Sequence, residues 1–203
     1  MTTIYFIRHA QSHQSMRIAF ADWPLSTLGR TQAERLATLL TPLGLSRLYC
    51  SPFERCQQTV GPFVGQSGLE PLFHDDLRER YFAPLRPDGF ADVWHRSWQD
   101  FDFAVPGYET NRAAQRRFVK AVREIARTHP GESIGICTHG NVIGLFLHHL
   151  HDGHGREVTE AIRNPDVLKL THVGDGFEWD RNYRLEGLDD IASHHDSTPK
   201  AFD

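Results

Sequence analysis

The sequence has few cysteines and no segment suited to a membrane. Three of its 203 residues are cysteine, and Cys50, Cys56 and Cys137 lack the spacing of a zinc-binding motif. This small, odd number predicts no disulfide framework and favours reduced thiols in a cytoplasmic protein. No apolar run approaches the roughly 20 residues that span a bilayer, and the first residues do not resemble a signal peptide. We therefore predict a soluble, cytoplasmic protein with no membrane partner.

The chain also lacks a strong excess of charge of either sign. It has 22 lysines and arginines against 26 aspartates and glutamates, a formal net charge of −4. Such a chain has no overall positive field to attract nucleic acid, so nucleic acid is not predicted as a partner. The length and the 39% hydrophobic content suit a chain that buries one core. We predict a single domain over residues 1–203, and the sequence does not indicate its oligomeric state.

The first predicted strand ends on a charged pair. Thr3 to Ile7 is rich in β-branched and aromatic residues, and Arg8 and His9 follow directly. In an open α/β sheet, ligands bind beyond the carboxyl ends of the strands. A guanidinium can clamp phosphate oxygens with two hydrogen bonds, and an imidazole can attack phosphorus. The pair indicates a phosphate site, although an isolated Arg-His dipeptide also fits a strand that simply ends there.

Strand and helix patterns alternate along the rest of the chain, which predicts an α/β fold. Further strands are predicted at residues 47–50, 71–74, 133–137, 167–170 and 177–179. Helices are predicted from Ser26 or Thr27 to before Pro42, from Ser51-Pro52 towards Pro62, over 110–129 and over 141–150. Basic residues recur where a predicted strand is followed by a predicted helix, as at Arg55 and His139.

Three segments have no clear period. Residues 80–109 are rich in aromatics and prolines, and we expect either a lid over the site or ordinary packing there. Residues 188–203 are predicted to be a polar tail. The histidines between His148 and His154 do not fit a standard metal-ligand spacing, so we expect a solvated loop there and no metal site.

Five motifs occur in an order that resembles the histidine phosphatase superfamily, the group with the phosphoglycerate-mutase-like fold. The resemblance runs through most of residues 3 to 183. The motifs are Arg8-His9-Ala10-Gln11-Ser12, Pro24 to Arg30, Ser51 to Thr59, Leu77-Arg78-Glu79, and Cys137 to Asn141. Five ordered matches are far more specific than any one of them.

The resemblance implies both a fold and an active site. The implied fold is a three-layer α/β/α sandwich around a mostly parallel sheet. The implied nucleophile is His9, the implied proton donor is Glu79, and the implied phosphate pocket contains Arg8, Arg55 and His139. His139 is thereby both a catalytic and a phosphate-binding residue. Ser12, which closes the first motif, is assigned to the phosphate pocket as well.

Each assigned residue also has a structural explanation. Arg55 could be a surface residue of a helix, Glu79 could pair with a neighbouring arginine, and His139 could be a packed histidine. Other acids could replace Glu79 as the proton donor. These are Asp75, Asp76 and Glu109.

The implied activity is hydrolysis of a small-molecule phosphate monoester through a phosphohistidine, with no metal or other cofactor, because arginines supply the positive charge. Two alternatives stay open. One is a phosphoglycerate-type mutase, and the other is a non-catalytic phosphate-binding protein of the same fold. The chain lacks the longer insertion typical of the glycolytic mutases, which favours hydrolysis. Ser15 and the run after Glu79 depart from the family pattern, so the sequence does not indicate which ester is the substrate.

Overall fold

A computed structural model of the chain describes residues 1–15, 17–81, 89–151 and 153–194, and their regular elements alternate as predicted. The strands are β1 (Thr2–Arg8), β2 (Arg47–Cys50), β3 (Pro71–Phe73), β4 (Ser133–Thr138), β5 (Asp166–Val173) and β6 (Gly176–Asp180). The helices are α1 (Thr27–Leu40), α2 (Glu54–Ser67), α3 (Phe90–Gln99), α4 (Asn111–Thr128), α5 (Gly140–Leu150) and α6 (Gly155–Ala161). None of these helices has the length and apolar character that crossing a bilayer requires.

The strands form one sheet in the order β3-β2-β4-β1-β5-β6. The first four strands of that order run parallel, and β5 and β6 are antiparallel to their neighbours. β1 therefore lies inside the sheet, between a parallel and an antiparallel partner. This arrangement confirms the predicted α/β class with a mostly parallel sheet.

Alternating side chains of β1 face two separate cores. Ile4 and Phe6 pack in a cluster with residues of α4 and α5, whereas Tyr5 and Ile7 pack in a cluster with residues of α1 and α2. Alternation follows from the pleat, because successive side chains of a strand point to opposite faces. Helices on both faces of the sheet confirm the predicted three-layer α/β/α sandwich.

The helix boundaries agree with the sequence predictions at α1 and α4. Ser26 caps α1, and its Oγ accepts a hydrogen bond from the backbone N–H of Gly29 at 3.0 Å. α1 ends at Leu40, before Pro42, and α4 covers Asn111–Thr128 within the predicted 110–129. Capping and apolar periodicity were therefore sufficient signals for these two helices.

The predicted end of α2 near Pro62 is wrong, because the helix continues to Ser67 with Pro62 inside it. Proline removes one helical hydrogen bond and clashes with the preceding turn. Two features favour continuation. Gly61 precedes the proline and has no Cβ to clash with its ring, and Val60 and Phe63 are buried on either side of the interruption.

The segments without a clear period differ in outcome. Residues 82–88 of the predicted lid lie outside the described residues, and 90–99 form α3, a helix that the sequence prediction missed. The segment predicted as a polar tail begins with structure, because Leu188 and Ile191 are buried in the core facing α1 and α2. Residues 195–203 lie outside the described residues. The loop predicted between His148 and His154 is wrong at its start, because His148 and His149 lie in α5, and the short helix α6 follows His154.

We expect replacing Gly144 with alanine to destabilise the fold, because α5 and α6 touch there. A Cβ at Gly144 would lie 1.8 Å from Thr159 Oγ1 and 2.7 Å from the carbonyl oxygen of Gly155. Overpacking of this kind costs about 1–3 kcal/mol in the free energy of unfolding. Gly65→Ala is the matched control, since this exposed helical glycine has open space around it and alanine there should stabilise by about 0.5–1 kcal/mol. Urea unfolding of both variants measures the difference, and equal effects would refute the close contact.

Candidate active site

The charged residues picked out in the sequence meet at one edge of the sheet. Arg8 ends β1 and His9 follows it, while His139 follows the parallel neighbour β4. The backbone N–H of His9 donates to the carbonyl oxygen of Thr138 at 3.1 Å, which continues the strand pairing up to the site. Parallel strands end at the same edge, so this topology brings the two histidines together. Their ring centroids are 5.2 Å apart.

The hydrogen bonds of His9 define the state of its ring. Nε of Arg55 donates to Nε2 of His9 at 3.3 Å, and Nδ1 lies 2.7 Å from the carbonyl oxygen of Ala10. Because a guanidinium can only donate, Nε2 must be the unprotonated nitrogen, and the proton lies on Nδ1, which donates to Ala10. His9 is thus a neutral imidazole whose Nε2 lone pair faces a cation.

Arg55 reaches this position from the first turn of α2. Its Nη1 donates to the carbonyl oxygen of Phe20 at 2.8 Å, and its guanidinium carbon lies 4.6 Å from the ring centroid of Phe20 and 4.9 Å from that of Phe53. Aromatic faces attract cations in this geometry. Burial lowers the pKa of Arg55 from its ordinary value. The assignment of Arg55 as a surface helix residue is wrong, since it is 2% exposed.

Arg8 lies against the start of α5. Its Nη1 donates to the carbonyl oxygen of Ile162. A Cβ at Gly140 would be 3.1 Å from the Arg8 guanidinium carbon, so glycine permits this close approach. Burial, opposed by the negative charges of Glu79 and Asp166, lowers the pKa of Arg8 to about 10, which leaves it a cation at neutral pH. Its Nε–H is buried and has no hydrogen-bond partner among the described residues.

His139 is fully buried, and Ser51 contacts its ring. Its Nε2 lies 2.8 Å from Oγ of Ser51, and the same oxygen accepts the backbone N–H of Phe53 at 3.3 Å. This arrangement favours donation by the Ser51 hydroxyl to Nε2, which places the His139 proton on Nδ1. Burial first, and then the positive charge of Arg55, hold the pKa of His139 well below its ordinary value. His139 is therefore a neutral donor.

The side chain of Glu79 contacts the first turn of α5 and lies beside the basic residues. Its Oε2 accepts the backbone N–H of Asn141 at 3.2 Å, and its Oε1 accepts the backbone N–H of Arg80 at 2.8 Å. Its negative charge acts on both Arg8 and Arg55. The predicted set of Arg8, His9, Arg55, Glu79 and His139 is therefore one cluster.

The three rival acids are engaged elsewhere. Both carboxylate oxygens of Glu109 accept from Arg117, at 2.7 and 2.8 Å. Asp75 and Asp76 form ion pairs with Arg78. Arg117 also donates to the backbone oxygens of residues 76, 78 and 79, so it shapes the turn that carries Glu79. These contacts favour Glu79 over its rivals.

Ser12 is placed less clearly than the other predicted residues. Its backbone pairs with Leu25 in an isolated antiparallel bridge. Within the described residues, its side chain makes no hydrogen bond to the charged cluster. The structure therefore places Ser12 on the loop after His9 and leaves its assignment to the phosphate pocket as a prediction.

Sequence reasoning missed several residues that hold the site in place. Nδ2 of Asn164 donates to the carbonyl oxygen of His9 at 2.7 Å, and the backbone N–H of Ala10 donates to Oγ1 of Thr59 at 2.9 Å. Gln32 accepts the backbone N–H of Gln11 and donates to the carbonyl oxygens of residues 164 and 191. Thr59 lies in a motif that was noticed, whereas Asn164 and Gln32 act through distant backbone groups and leave no local signal.

The three cysteines are free, buried and close to the site. Cys50 and Cys137 are paired residues of adjacent strands, and Sγ of Cys56 lies 3.5 Å from Nε2 of His139. In the described part of the chain, no group of three or more histidine, cysteine or acidic side chains is arranged to hold a metal ion. The positive charge at this site comes from arginine.

Comparisons with known proteins identify the family. The sequence model of the histidine phosphatase superfamily, branch 1, matches residues 4–183. A phosphoglycerate mutase-like protein 4 of Arabidopsis thaliana is 30% identical over 171 residues, which cover 78% of this chain and 72% of the plant protein. A probable phosphatase of Schizosaccharomyces pombe is 35% identical over 86 residues, and that match spans 40% of this chain and 41% of the yeast protein.

A solved structure shows the same fold. The native structure of a mycobacterial glucosyl-3-phosphoglycerate phosphatase superposes with a TM-score of 0.73 at 21% identity, covering 88% of this chain and 96% of that one. At this level of identity the similarity concerns the fold. The relatives thus include proteins named as phosphatases and as mutase-like.

We expect His139 to make the protein less stable in acid. In the unfolded chain a histidine takes up a proton near pH 6.5, whereas the lowered pKa of His139 keeps it neutral in the fold, so stability falls as the pH drops below about 6.5. The wild type should therefore lose its advantage over His139→Gln in the free energy of unfolding, by up to about 1.4 kcal/mol for each pH unit below that point. Urea unfolding at several pH values measures the gap.

The control for loss of one imidazole is His13→Gln, at an exposed histidine. A gap between wild type and His139→Gln that stays constant from pH 7 to pH 5 would contradict the buried neutral state of His139.

Proposed function

The chain belongs to branch 1 of the histidine phosphatase superfamily, and we propose that it hydrolyses phosphate monoesters through a phosphohistidine on Nε2 of His9. The observation that carries this proposal is the fixed state of the His9 ring. Nδ1 is held by the carbonyl oxygen of Ala10, and the lone pair of Nε2 faces Arg55. A nucleophilic nitrogen is thereby oriented towards the groups that would bind phosphate.

The phosphate would bind among donors that are already in place. Arg8 and Arg55 are buried cations, and the guanidinium of Arg55 contacts the His9 ring. The start of α5, next to His139, adds the partial positive charge of a helix N-terminus. Fixed donors of this kind neutralise the anion before attack and stabilise charge in the transition state. Metal independence is part of this proposal, because these residues supply the positive charge.

The first step transfers the phosphoryl group to His9. Nε2 attacks phosphorus, the bond from phosphorus to nitrogen forms, and the bond from phosphorus to the ester oxygen breaks. Glu79 enters this step with a proton taken up from solvent on substrate binding, and it gives that proton to the departing alcohol. The carbonyl oxygen of Ala10, which accepts a hydrogen bond from Nδ1–H, stabilises the positive charge that develops on the ring.

The second step returns the enzyme to its starting state. Water attacks the phosphohistidine, and Glu79 takes the proton that the water loses. The bond from phosphorus to Nε2 breaks, which releases inorganic phosphate and restores the neutral ring. The one carboxyl group of Glu79 thus serves as acid in the first step and as base in the second.

The mutase alternative uses the same phosphohistidine and differs in the acceptor. A phosphoglycerate acceptor carries a carboxylate, and a cation near the site would have to bind that carboxylate during transfer. The arginines around Glu79 are engaged by the protein: Arg78 pairs with acidic side chains, Arg80 donates to Ser97 and to a backbone oxygen, and Arg117 pairs with Glu109. This arrangement favours water as the acceptor.

We expect a labelled phosphate ester to leave label on His9. Protein quenched in alkaline detergent during turnover should carry one phosphate that is stable to base and labile to acid, the behaviour of a phosphohistidine. His9→Ala should carry none, whereas the control His13→Ala, at an exposed histidine nearby, should label as the wild type does.

The fate of that label separates the two enzymatic alternatives. Chasing the labelled protein with 3-phosphoglycerate should release labelled inorganic phosphate. Labelled bisphosphoglycerate would instead identify a mutase, and label on His9→Ala would remove His9 from the role of nucleophile.

We expect Glu79→Gln to slow esters with basic leaving groups most. An alkyl alcohol needs a proton as it leaves, whereas nitrophenolate does not, and a general acid contributes about 10²–10⁴-fold. Single-turnover rates of transfer to His9 should therefore fall far more for an alkyl phosphate than for nitrophenyl phosphate. Asp76→Asn, at one of the rival acids, is the matched control. Equal slowing of both esters by Glu79→Gln would exclude Glu79 as the proton donor.

A further inference from the structure

A row of aromatic rings leads outward from the phosphate site. The ring of Phe53 lies 5.2 Å from that of His139 and 5.7 Å from that of Phe20. Phe20 then lies 5.3 Å from Tyr81, and Tyr81 lies 5.1 Å from Tyr108. We call Phe53, Phe20, Tyr81 and Tyr108 the aromatic wall. Its four rings form one continuous apolar surface that begins beside the proposed phosphate-binding residues.

The aromatic wall is anchored to the charged cluster. The carbonyl oxygen of Phe20 accepts from Arg55, and the Arg55 guanidinium lies over the rings of Phe20 and Phe53. The carbonyl oxygen of Tyr81 accepts the backbone N–H of Glu109 at 2.8 Å. These contacts hold the inner rings in a fixed position relative to phosphate oxygens bound by Arg55.

The aromatic wall remains partly open to solvent. Tyr81 is 43% exposed, and Phe20, Phe53 and Tyr108 are half-buried. Rings that served purely to fill a core would be more completely buried. An exposed apolar surface that continues from a charged cluster is the usual form of a small-molecule site, in which a few polar groups orient a ligand and apolar groups hold the remainder.

We propose that the aromatic wall binds the leaving group, and that the preferred substrates are phosphate monoesters of alcohols that carry an aromatic ring. This inference rests on the proposed function. With the phosphate held by Arg8 and Arg55, the ester oxygen faces Glu79, and an aromatic group beyond it stacks on Phe20 and Tyr81. Offset or tilted ring pairs are favourable at the spacings seen within the wall.

The charges near Glu79 also favour an apolar leaving group. Polar substrates with a second anionic group need a cation to hold it. Arg80 is fully buried and donates to Ser97 and to the carbonyl oxygen of Glu109, and Arg117 is 10% exposed in its ion pair with Glu109. These cations face the protein, whereas the aromatic rings face solvent.

The test compares 3-phenylpropyl phosphate with propyl phosphate. The two alcohols leave with similar basicity, so their difference in kcat/KM reports the binding of the ring and not the chemistry of the leaving oxygen. An apolar contact of this size gives a preference of about 10- to 200-fold. We expect kcat/KM to be higher for the phenylpropyl ester by a factor in this range.

Two variants locate the source of the preference. Tyr81→Ser should lower kcat/KM for the phenylpropyl ester by about tenfold while changing that for the propyl ester much less. Phe73→Ser is the matched control, because Phe73 is 54% exposed on the edge strand β3, outside the aromatic wall. It should leave the ratio of the two substrates at the wild-type value.

The outcomes separate this inference from the proposed function. Hydrolysis of both esters with equal kcat/KM, or an equal effect of Tyr81→Ser on both, would overturn the inference and leave the hydrolase intact. Failure to hydrolyse either ester, together with no label on His9, would overturn the proposed function and the inference with it. A preference that falls equally in Tyr81→Ser and Phe73→Ser would also overturn the role of the aromatic wall.

Discussion

The concentration of positive charge at the edge of the sheet is the constraint on which the rest of the structure depends. Arg8 and Arg55 are both buried, and the positive charge of Arg55 contributes to lowering the pKa of Arg8. The fold offsets this cost with carbonyl oxygens, aromatic faces and the carboxylate of Glu79. Both histidines stay neutral beside the arginines, which avoids further repulsion. A bound dianion, as the proposed function requires, would relieve the remaining repulsion.

Close approach of backbone elements makes this concentration possible. Gly140 lets the guanidinium of Arg8 lie against the first turn of α5, where a side chain would intrude. Gly29 plays a similar part at α1, because a Cβ there would lie 2.0 Å from the carbonyl oxygen of Gln11. Both glycines lie in the motifs that pointed to the family. Their role is steric, since each removes an atom from a place that backbone or an arginine must occupy.

Local signals in the sequence predicted the α/β class and most of its elements, and the family resemblance implied the sandwich and the charged cluster, but neither predicted the contacts that support them. The change from apolar to charged residues after Ile7 correctly marks the end of β1, and the capping pattern at Ser26 correctly marks the start of α1. Both signals depend on neighbours in sequence. The continuation of α2 through Pro62 depends on burial of Val60 and Phe63 against other elements. Asn164 and Gln32 form hydrogen bonds to the backbone of residues 9 and 11, and these bonds join groups that are far apart in the chain. No local pattern records such partners, and the same holds for the packing of Leu188 and Ile191.

The placement of β1 has a consequence for how the protein is made. Its two neighbours, β4 and β5, come from the second half of the chain, and Gln32 is tied to residues 164, 191 and 193. During synthesis the first strand therefore leaves the ribosome long before the strands that flank it, with its apolar residues lacking their final partners. Closing such distant contacts is slow compared with forming local helices. The loop that carries His9 is held by residues that are synthesised late, so we expect it to become ordered late in folding and the exposed first strand to need protection from aggregation until then.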